Sequence, residues 1–273
     1  MKGATILVVA HRNGRFAAGE YLIAGLFPFW EDAGHRVVVR EGLDDLPRAD
    51  VVIQHVDLSV VPQEYSEALA HYPRVVNGGA LDARKRGFSE NLLERGADYR
   101  GRVIVKTDLN CSGLPEAFHR KVALEEGRPP GPPVRFMRSR YPVFESLSAV
   151  PKEVWSDPDL VVEKFLPELD ERGYALRHWI FFGDHERCSR VVGPQPVVKG
   201  ADVLERKAVP VPEELRAWRS RLRLDYGKLD FVLHEGRPVL LDVNRTPTLG
   251  PRIRELAQAG MQEWAKGLGA FLS

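Results

Sequence analysis

The sequence predicts a mixed α/β and α+β chain, in which a small parallel α/β unit is followed by a larger, strand-rich part. Two observations carry this. Up to about residue 97, short β-rich runs alternate with helix-like segments, the pattern of a parallel sheet covered by helices. Beyond it the style changes: short apolar strands follow one another with fewer helices between them.

Element by element, residues 4–10 (ATILVVA) read as a buried first strand. Phe16, Ala17, Tyr21, Leu22, Leu26 and Trp30 fall near helical spacing, so a helix is expected over 16–32, with Gly34 as its stop. Strands follow at 37–39, 51–53 and 74–76, with helices at 63–71 and 82–95. RVIVKT (102–107) is a strand, and 115–126 a helix that starts on Pro115. GRPPGPP (127–133) excludes helix interior and central strand. Strands are then expected at 143–144, 160–165, 175–182 and 188–192, a basic helix at 211–224, two strands at 228–233 and 238–243 around Glu235-Gly236, and a closing helix at 252–268.

Composition narrows the function classes. Among 273 residues, 39 Lys and Arg nearly balance 38 Asp and Glu, a net charge of +1. That argues against a nucleic-acid binder, whose affinity rests on a basic surface. The 44% hydrophobic content supplies a real core. Cys111 and Cys188 are too few for a disulfide framework, so a reducing cytoplasm is the expected compartment. The early apolar run is too short to span a bilayer, and no membrane partner is expected.

The richest stretch is DYGKLDFVLHEGRPVLLDVNRTPT (225–248). Alternation puts Lys228, Asp230 and Val232 on one face of the first strand, and Leu240, Asp242 and Asn244 on one face of the second. With the turn centred on Gly236, Asp230 lies opposite Asp242. Two facing carboxylates resist ionising together unless a cation sits between them. Asn244 adds a neutral oxygen, and the set suits Mg²⁺. A plainer reading has Lys228 or Arg245 neutralising either acid.

This stretch resembles the C-terminal metal hairpin of the ATP-grasp superfamily, in which an acid on one strand and a (D/E)-x-N pair on the next hold Mg²⁺. The resemblance runs over about residues 80–250 and is similar in order to the glutathione-synthetase-like and D-alanine–D-alanine-ligase-like groups. It implies metal ligands at Asp230, Asp242 and Asn244. RVIVKT resembles the strand whose lysine meets the ATP phosphates, here Lys106, and Lys85 matches the earlier phosphate-reaching lysine. VVEKFLPELD resembles the adenine hinge, with Glu163, Lys164, Phe165 and Leu166 at its core. Asp170 stands where the ribose acid is found, with Glu168 and Glu171 as competitors. Arg177 and Arg190 match charge-stabilising arginines. The loop after Lys106, Asp108 to Gly113, has one glycine where the family's phosphate loop has more.

The implied layout is a pre-ATP-grasp domain over 1–96 and an ATP-grasp domain over 97–273, split into two α+β halves, 97–165 and 166–273. The implied activity is an ATP- and Mg²⁺-dependent carboxylate–amine or peptide ligase working through an acylphosphate. A small-molecule kinase of the same fold and a non-catalytic nucleotide-binding module are the alternatives. The implied partners are small-molecule or peptide carboxylates and amines, and a homodimer is among the expectations. Asn13-Gly14-Arg15, His55-Val56-Asp57 and Asn77-Gly78-Gly79 are candidate acceptor loops, with Arg12 or Arg15 for a substrate carboxylate. Lys199 reads equally well as a solvated loop lysine. His178 reads as packing or surface, and the arginines of 216–223 as a solvated face.

Overall fold

The computed structural model describes residues 3–18, 20–135, 137, 141–198, 202–249 and 258–272. Lys199 and the first part of the expected closing helix, 252–257, lie outside them.

Strands β1 (Thr5–Ala10), β2 (Arg36–Glu41), β3 (Val51–His55) and β4 (Val75–Val76) form a parallel sheet in the order β2-β1-β3-β4. The central strands are buried on both faces, which is why they read as unbroken apolar runs. Ile6, Val8, Val51 and Ile53 pack on Leu22, Leu26 and Trp30. Leu7, Val9 and Val52 pack on Tyr65 and Leu69 of α2 (Gln63–Leu69).

The helix expected over 16–32 is corrected to two 3₁₀ turns, Phe16–Ala18 and Leu22–Leu26, and a short α1 (Phe27–Asp32). Pro28 sits in the first turn of α1 and bars a longer helix through it. Long-range pairing also intervenes: the Leu22 N–H donates to Pro247 O, and the Leu249 N–H to Glu20 O, both at 2.8 Å. The helix expected over 82–95 shrinks to one turn, α3 (Lys85–Phe88). Beyond it the chain is extended, with Leu93 N–H on Val162 O and Lys164 N–H on Asn91 O.

A second, antiparallel sheet holds β5 (Val103–Thr107), β6 (Val143–Phe144) and β7 (Leu160–Lys164) in the order β6-β5-β7. Helix α4 (Leu114–Glu125) carries Pro115 in its first turn, and a short α5 (Lys152–Ser156) precedes β7. The third sheet contains β8 (Glu168–Asp170), β9 (Gly173–Phe182), β10 (His185–Gly193), β11 (Glu205–Ala208), β12 (Tyr226–His234) and β13 (Arg237–Asn244). Its order is β11-β10-β9-β12-β13, with β8 beside β9, all antiparallel. Helix α6 (Glu213–Arg221) covers one face, where Leu215 meets Trp179, Phe181, Phe231, Leu240 and Val243.

Two features tie the ends of the chain together. Met261, Trp264 and Ala265 of α7 (Gln258–Lys266), with Leu268, enter the same core as the first sheet. There the Trp30 indole N–H donates to Ala265 O at 2.9 Å. Burying a large apolar side chain is worth about 1.5–3 kcal/mol, so this contact is a substantial part of the first sheet's stability. The second feature is Asn77, in the left-handed region at φ 63°. Its N–H donates to Asp225 Oδ2 at 2.7 Å, its Oδ1 accepts the Asp225 and Tyr226 N–H groups, and its Nδ2 donates to Tyr226 O. The Asn77 side chain thus clips the first sheet to the third.

Candidate functional site

The hairpin β12–β13 turns on Glu235-Gly236, both at positive φ (51° and 79°), the geometry of a two-residue type I′ turn. That turn alone would set Asp230 against Leu241. A bulge between Asp230 and Phe231 shifts the register, so that Phe231 pairs with Leu240 and Asp230 with Asp242. The two acids therefore face each other as the alternation predicts, but by a different route. The face expected for Leu240 is corrected: Leu240 packs in the core, while the extra residue Leu241 lines the cleft beside Asp242. Gly227, at φ 159°, lies so close to the partner strand that a Cβ would meet Asn244 O at 2.7 Å.

Each acid meets a cation. Asp230 Oδ2 accepts from Lys228 Nζ at 2.9 Å, and Asp230 Oδ1 lies 2.7 Å from His178 Nδ1, on the neighbouring strand β9. Burial opposes the Asp230 charge, yet Lys228 and His178 outweigh it and hold the carboxyl well below the usual range. Asp242 Oδ1 is 3.3 Å from Lys85 Nζ, which also donates to Leu109 O at 3.0 Å. Lys85 is buried, but Asp242, with Tyr141 and Glu163, keeps its pKa raised against desolvation. Lys106 Nζ sits 2.7 Å from Glu163 Oε2, both inside the protein. Burial disfavours the Glu163 charge, and Lys106 reverses that.

These groups converge on one cleft between the second and third sheets. Lys85, Lys106, Asp230 and Asp242 form its polar end, and Ile104, Leu176, Val232 and Leu241 wall it. Lys164, Phe165 and Leu166 run along its edge. Its cavity volume is about 250 Å³. The Phe165 N–H donates to Arg102 O, and the Arg102 guanidinium lies 5.0 Å above the Phe165 ring. The loop after β5 closes the polar end with Cys111 and Ser112. Cys111, Ser112 and Gly113 take successive left-handed conformations (φ 44°, 62° and 75°).

Arg177, Arg190 and Asp170 do not join that cleft. Arg177 pairs with Phe231, on the face opposite to Asp230. It grips Glu168 with Nε at 2.8 Å and Nη2 at 2.9 Å. Arg190 donates from Nε to Glu168 at 2.7 Å and from both terminal nitrogens to Asp170 at 3.0 Å. The expected charge-stabilising arginines and ribose acid thus satisfy one another, with Glu168 as hub. Glu171 is exposed. Two groups that reading from sequence did not assign to the site, His178 and Lys228, contact its Asp230. Lys228 carries a signal, since it stands two residues before Asp230 on the same strand face. His178 carries none without the β9–β12 register. The arginines of α6 are also engaged: Arg216 pairs with Glu186 at 2.6 Å, and Arg219 lies 4.1 Å over the Phe181 ring.

The donor set fits a hard divalent cation. Asp242 Oδ2 has no hydrogen bond among the described residues. Asn244 Oδ1 accepts one, from the Thr246 N–H at 2.9 Å, and keeps its second lone pair. Mg²⁺ asks for one or two protein carboxylates and takes its other oxygens from phosphate and water.

No family model and no curated protein matches the sequence. Solved structures do match over nearly the whole chain. The D-alanine–D-alanine ligase of Bacillus anthracis is 11% identical, with a TM-score of 0.52 over 99% of this chain and 96% of that one. A RimK domain ATP-grasp protein of Sphaerobacter thermophilus DSM 20745 is 12% identical, with a TM-score of 0.53 over 99% and 100%. The macrocyclase MdnC of Microcystis aeruginosa MRC, bound with precursor peptide MdnA, is 10% identical, with a TM-score of 0.52 over 95% and 99%. The chain has the ATP-grasp fold, as the hairpin and hinge motifs led us to expect. Among the described residues, no helix is long and apolar enough to cross a membrane.

Proposed function

We propose that this chain is an ATP- and Mg²⁺-dependent ligase that joins a carboxylate to an amine. One observation carries the reading: Lys85, Lys106 and the facing Asp230–Asp242 pair share a single cleft with the apolar edge of 164–166. A purine suits the apolar end, where Leu166 offers a backbone N–H with no partner among the described residues. Triphosphate suits the lysine end, where Lys85 and Lys106 would exchange a carboxylate contact for a phosphate oxygen. Asp230, Asp242 and Asn244 would hold Mg²⁺, which supplies neutralisation of phosphate charge.

In this reading the substrate carboxylate attacks the γ-phosphorus of ATP, giving an acylphosphate and ADP. The amine then attacks the acyl carbon, phosphate leaves, and an amide forms. The protein's work is positioning and electrostatics. Lys228 and His178 hold Asp230 ionised and oriented. Arg177 and Arg190 act as positioning residues, locking β8 to β9 and β10 beneath the hinge. The N-terminal parallel unit up to residue 96 and the two halves meeting at 165/166 are the divisions that best suit this activity.

The test is ATP-dependent phosphate release screened over amino acids and short peptides, with mass analysis of the product. An amide with free phosphate supports the ligase. A phosphorylated hydroxyl acceptor replaces it with a kinase, and nucleotide binding without acceptor-dependent turnover replaces it with a binding module.

A further inference from the structure

The register of β8 on β9 decides which acids can meet the sugar of a nucleotide. Glu168 pairs with Ala175, and Asp170 with Gly173. Paired residues share a face, so both acids lie on the face of the third sheet that carries Arg177. Leu176 and His178 belong to the other face, with Asp230 across from His178 on β12. Arginines hold the two acids where they are. Glu168 accepts from Arg177 and Arg190. Asp170 Oδ2 takes two contacts from Arg190, both at 3.0 Å, and Oδ1 accepts the Arg172 N–H at 3.1 Å. Glu171 stands exposed with Arg172 at the tip of the β8–β9 turn.

The cleft meets a ligand there with other chemistry. Tyr174 and Leu176 of β9, with Pro196, Val197 and Val198 after β10, form its wall on that side. The side-chain polar atom of this wall is the phenol of Tyr174, a half-buried residue, which water serves when a ligand hydroxyl is missing. Among the described residues lining the cleft, the acids are Asp230 and Asp242. Both are engaged at the lysine end, by Lys228, His178 and Lys85.

A site rejects a ligand that lacks a hydroxyl when the loss strands a buried polar group, by roughly 10⁴- to 10⁵-fold in the strongest cases. An apolar wall strands nothing. We infer that the cleft recognises ATP by its base and its triphosphate and not by its sugar hydroxyls, so that 2′-deoxyribonucleoside triphosphates are ligands of the same rank as ribonucleotides. The inference rests on the ATP site of the ligase reading and names the class of nucleotide that site accepts.

Calorimetry on the full chain with Mg²⁺ compares ATP, 2′-deoxy-ATP, 2′,3′-dideoxy-ATP and inorganic tripolyphosphate. Both deoxy compounds are expected to bind within about fivefold of ATP, and tripolyphosphate at least about tenfold more weakly than ATP. A larger loss with either deoxy compound, or a smaller deficit for tripolyphosphate, overturns the inference. Asp170→Asn separates a scaffold acid from a sugar ligand. The ratio of ATP to dideoxy-ATP affinity is expected to stay as in the wild type, and a ratio that moves toward the dideoxy compound overturns the inference. Should that variant fail to fold, the wild-type titrations decide by themselves. A chain that binds no ATP removes the ligase reading and this one together; ATP binding that depends on the 2′- or 3′-hydroxyl removes this one alone.

Discussion

The third sheet carries charge on both faces, and the two faces are built differently. On the Phe231 side, Glu168 accepts from Arg177, Arg190 and the Leu233 N–H, and Asp170 accepts from Arg190 and the Arg172 N–H. All four carboxylate oxygens there have donors. On the Asp230 side, Lys228, His178 and Lys85 meet two carboxylates, Asp242 Oδ2 is left over, and the cluster opens to the cleft. The two systems are one residue apart along β9 and β12. What separates a scaffold from a site here is saturation, not the number of charges. A closed network rigidifies, while an open one has a lone pair and a proton donor to give to a ligand.

The largest effect should come from the open face. Asp242→Asn removes one charge and adds no bulk, and it is expected to lower ATP-dependent phosphate release by roughly 100- to 1000-fold, with some fall in melting temperature because buried Lys85 loses its countercharge. Undiminished turnover would erase the distinction between the faces. The closed face should respond in stability instead. Glu168→Gln strands the Arg177 fork and takes one contact from Arg190, which keeps Asp170, and is expected to lower unfolding free energy in urea by about 2–3 kcal/mol. Burial raises the Glu168 pKa and the arginine hydrogen bonds outweigh it, so its folded value lies below the usual one. Its contribution is therefore present above the unfolded pKa of about 4.3 and lost as pH falls below it. The gap between wild type and Glu168→Gln should close on acidification, and a gap that widens toward pH 3 would contradict the network.

A third test sharpens the comparison within the cleft. Lys106→Met alone leaves Glu163 buried and unpaired, so the double substitution Lys106→Met with Glu163→Gln is the cleaner probe. It should fold with near-normal stability and bind ATP about tenfold more weakly by calorimetry, about 1.4 kcal/mol. Equal affinity would move the phosphate position elsewhere. The smallest effect concerns the loop. Ser112 is a non-glycine residue in the left-handed region, so Ser112→Gly should stabilise the chain by about 1 kcal/mol in urea; its hydroxyl lies 2.8 Å from the Tyr141 hydroxyl, and destabilisation would mean that this hydrogen bond outweighs the backbone strain.

The hairpin acids were legible because strands alternate strictly and both partners lie within fifteen residues. The bulge that makes the pairing work was not legible, since Leu240 and Leu241 are chemically alike. Arg177 and His178 show the limit more sharply. They are neighbours in sequence and point to opposite faces, so only the long-range register of β9 on β12 tells which one meets Asp230. The helices over-read at 16–32 and 82–95 have suitable periodicity. Tertiary pairing with residues 247–249 and with β7 overrode it, and neither pairing leaves a local trace. Lys85 and Lys106 were found through the order of motifs, which periodicity alone does not supply.

The packing of α7 against Trp30 has a consequence for biosynthesis. The first four strands leave the ribosome early, yet their sheet waits for Met261, Trp264 and Leu268 to cover one side. Translation must run past Leu268 before that side is dry. Any nascent product halted upstream would expose Leu22, Leu26 and Trp30 to chaperones and proteases.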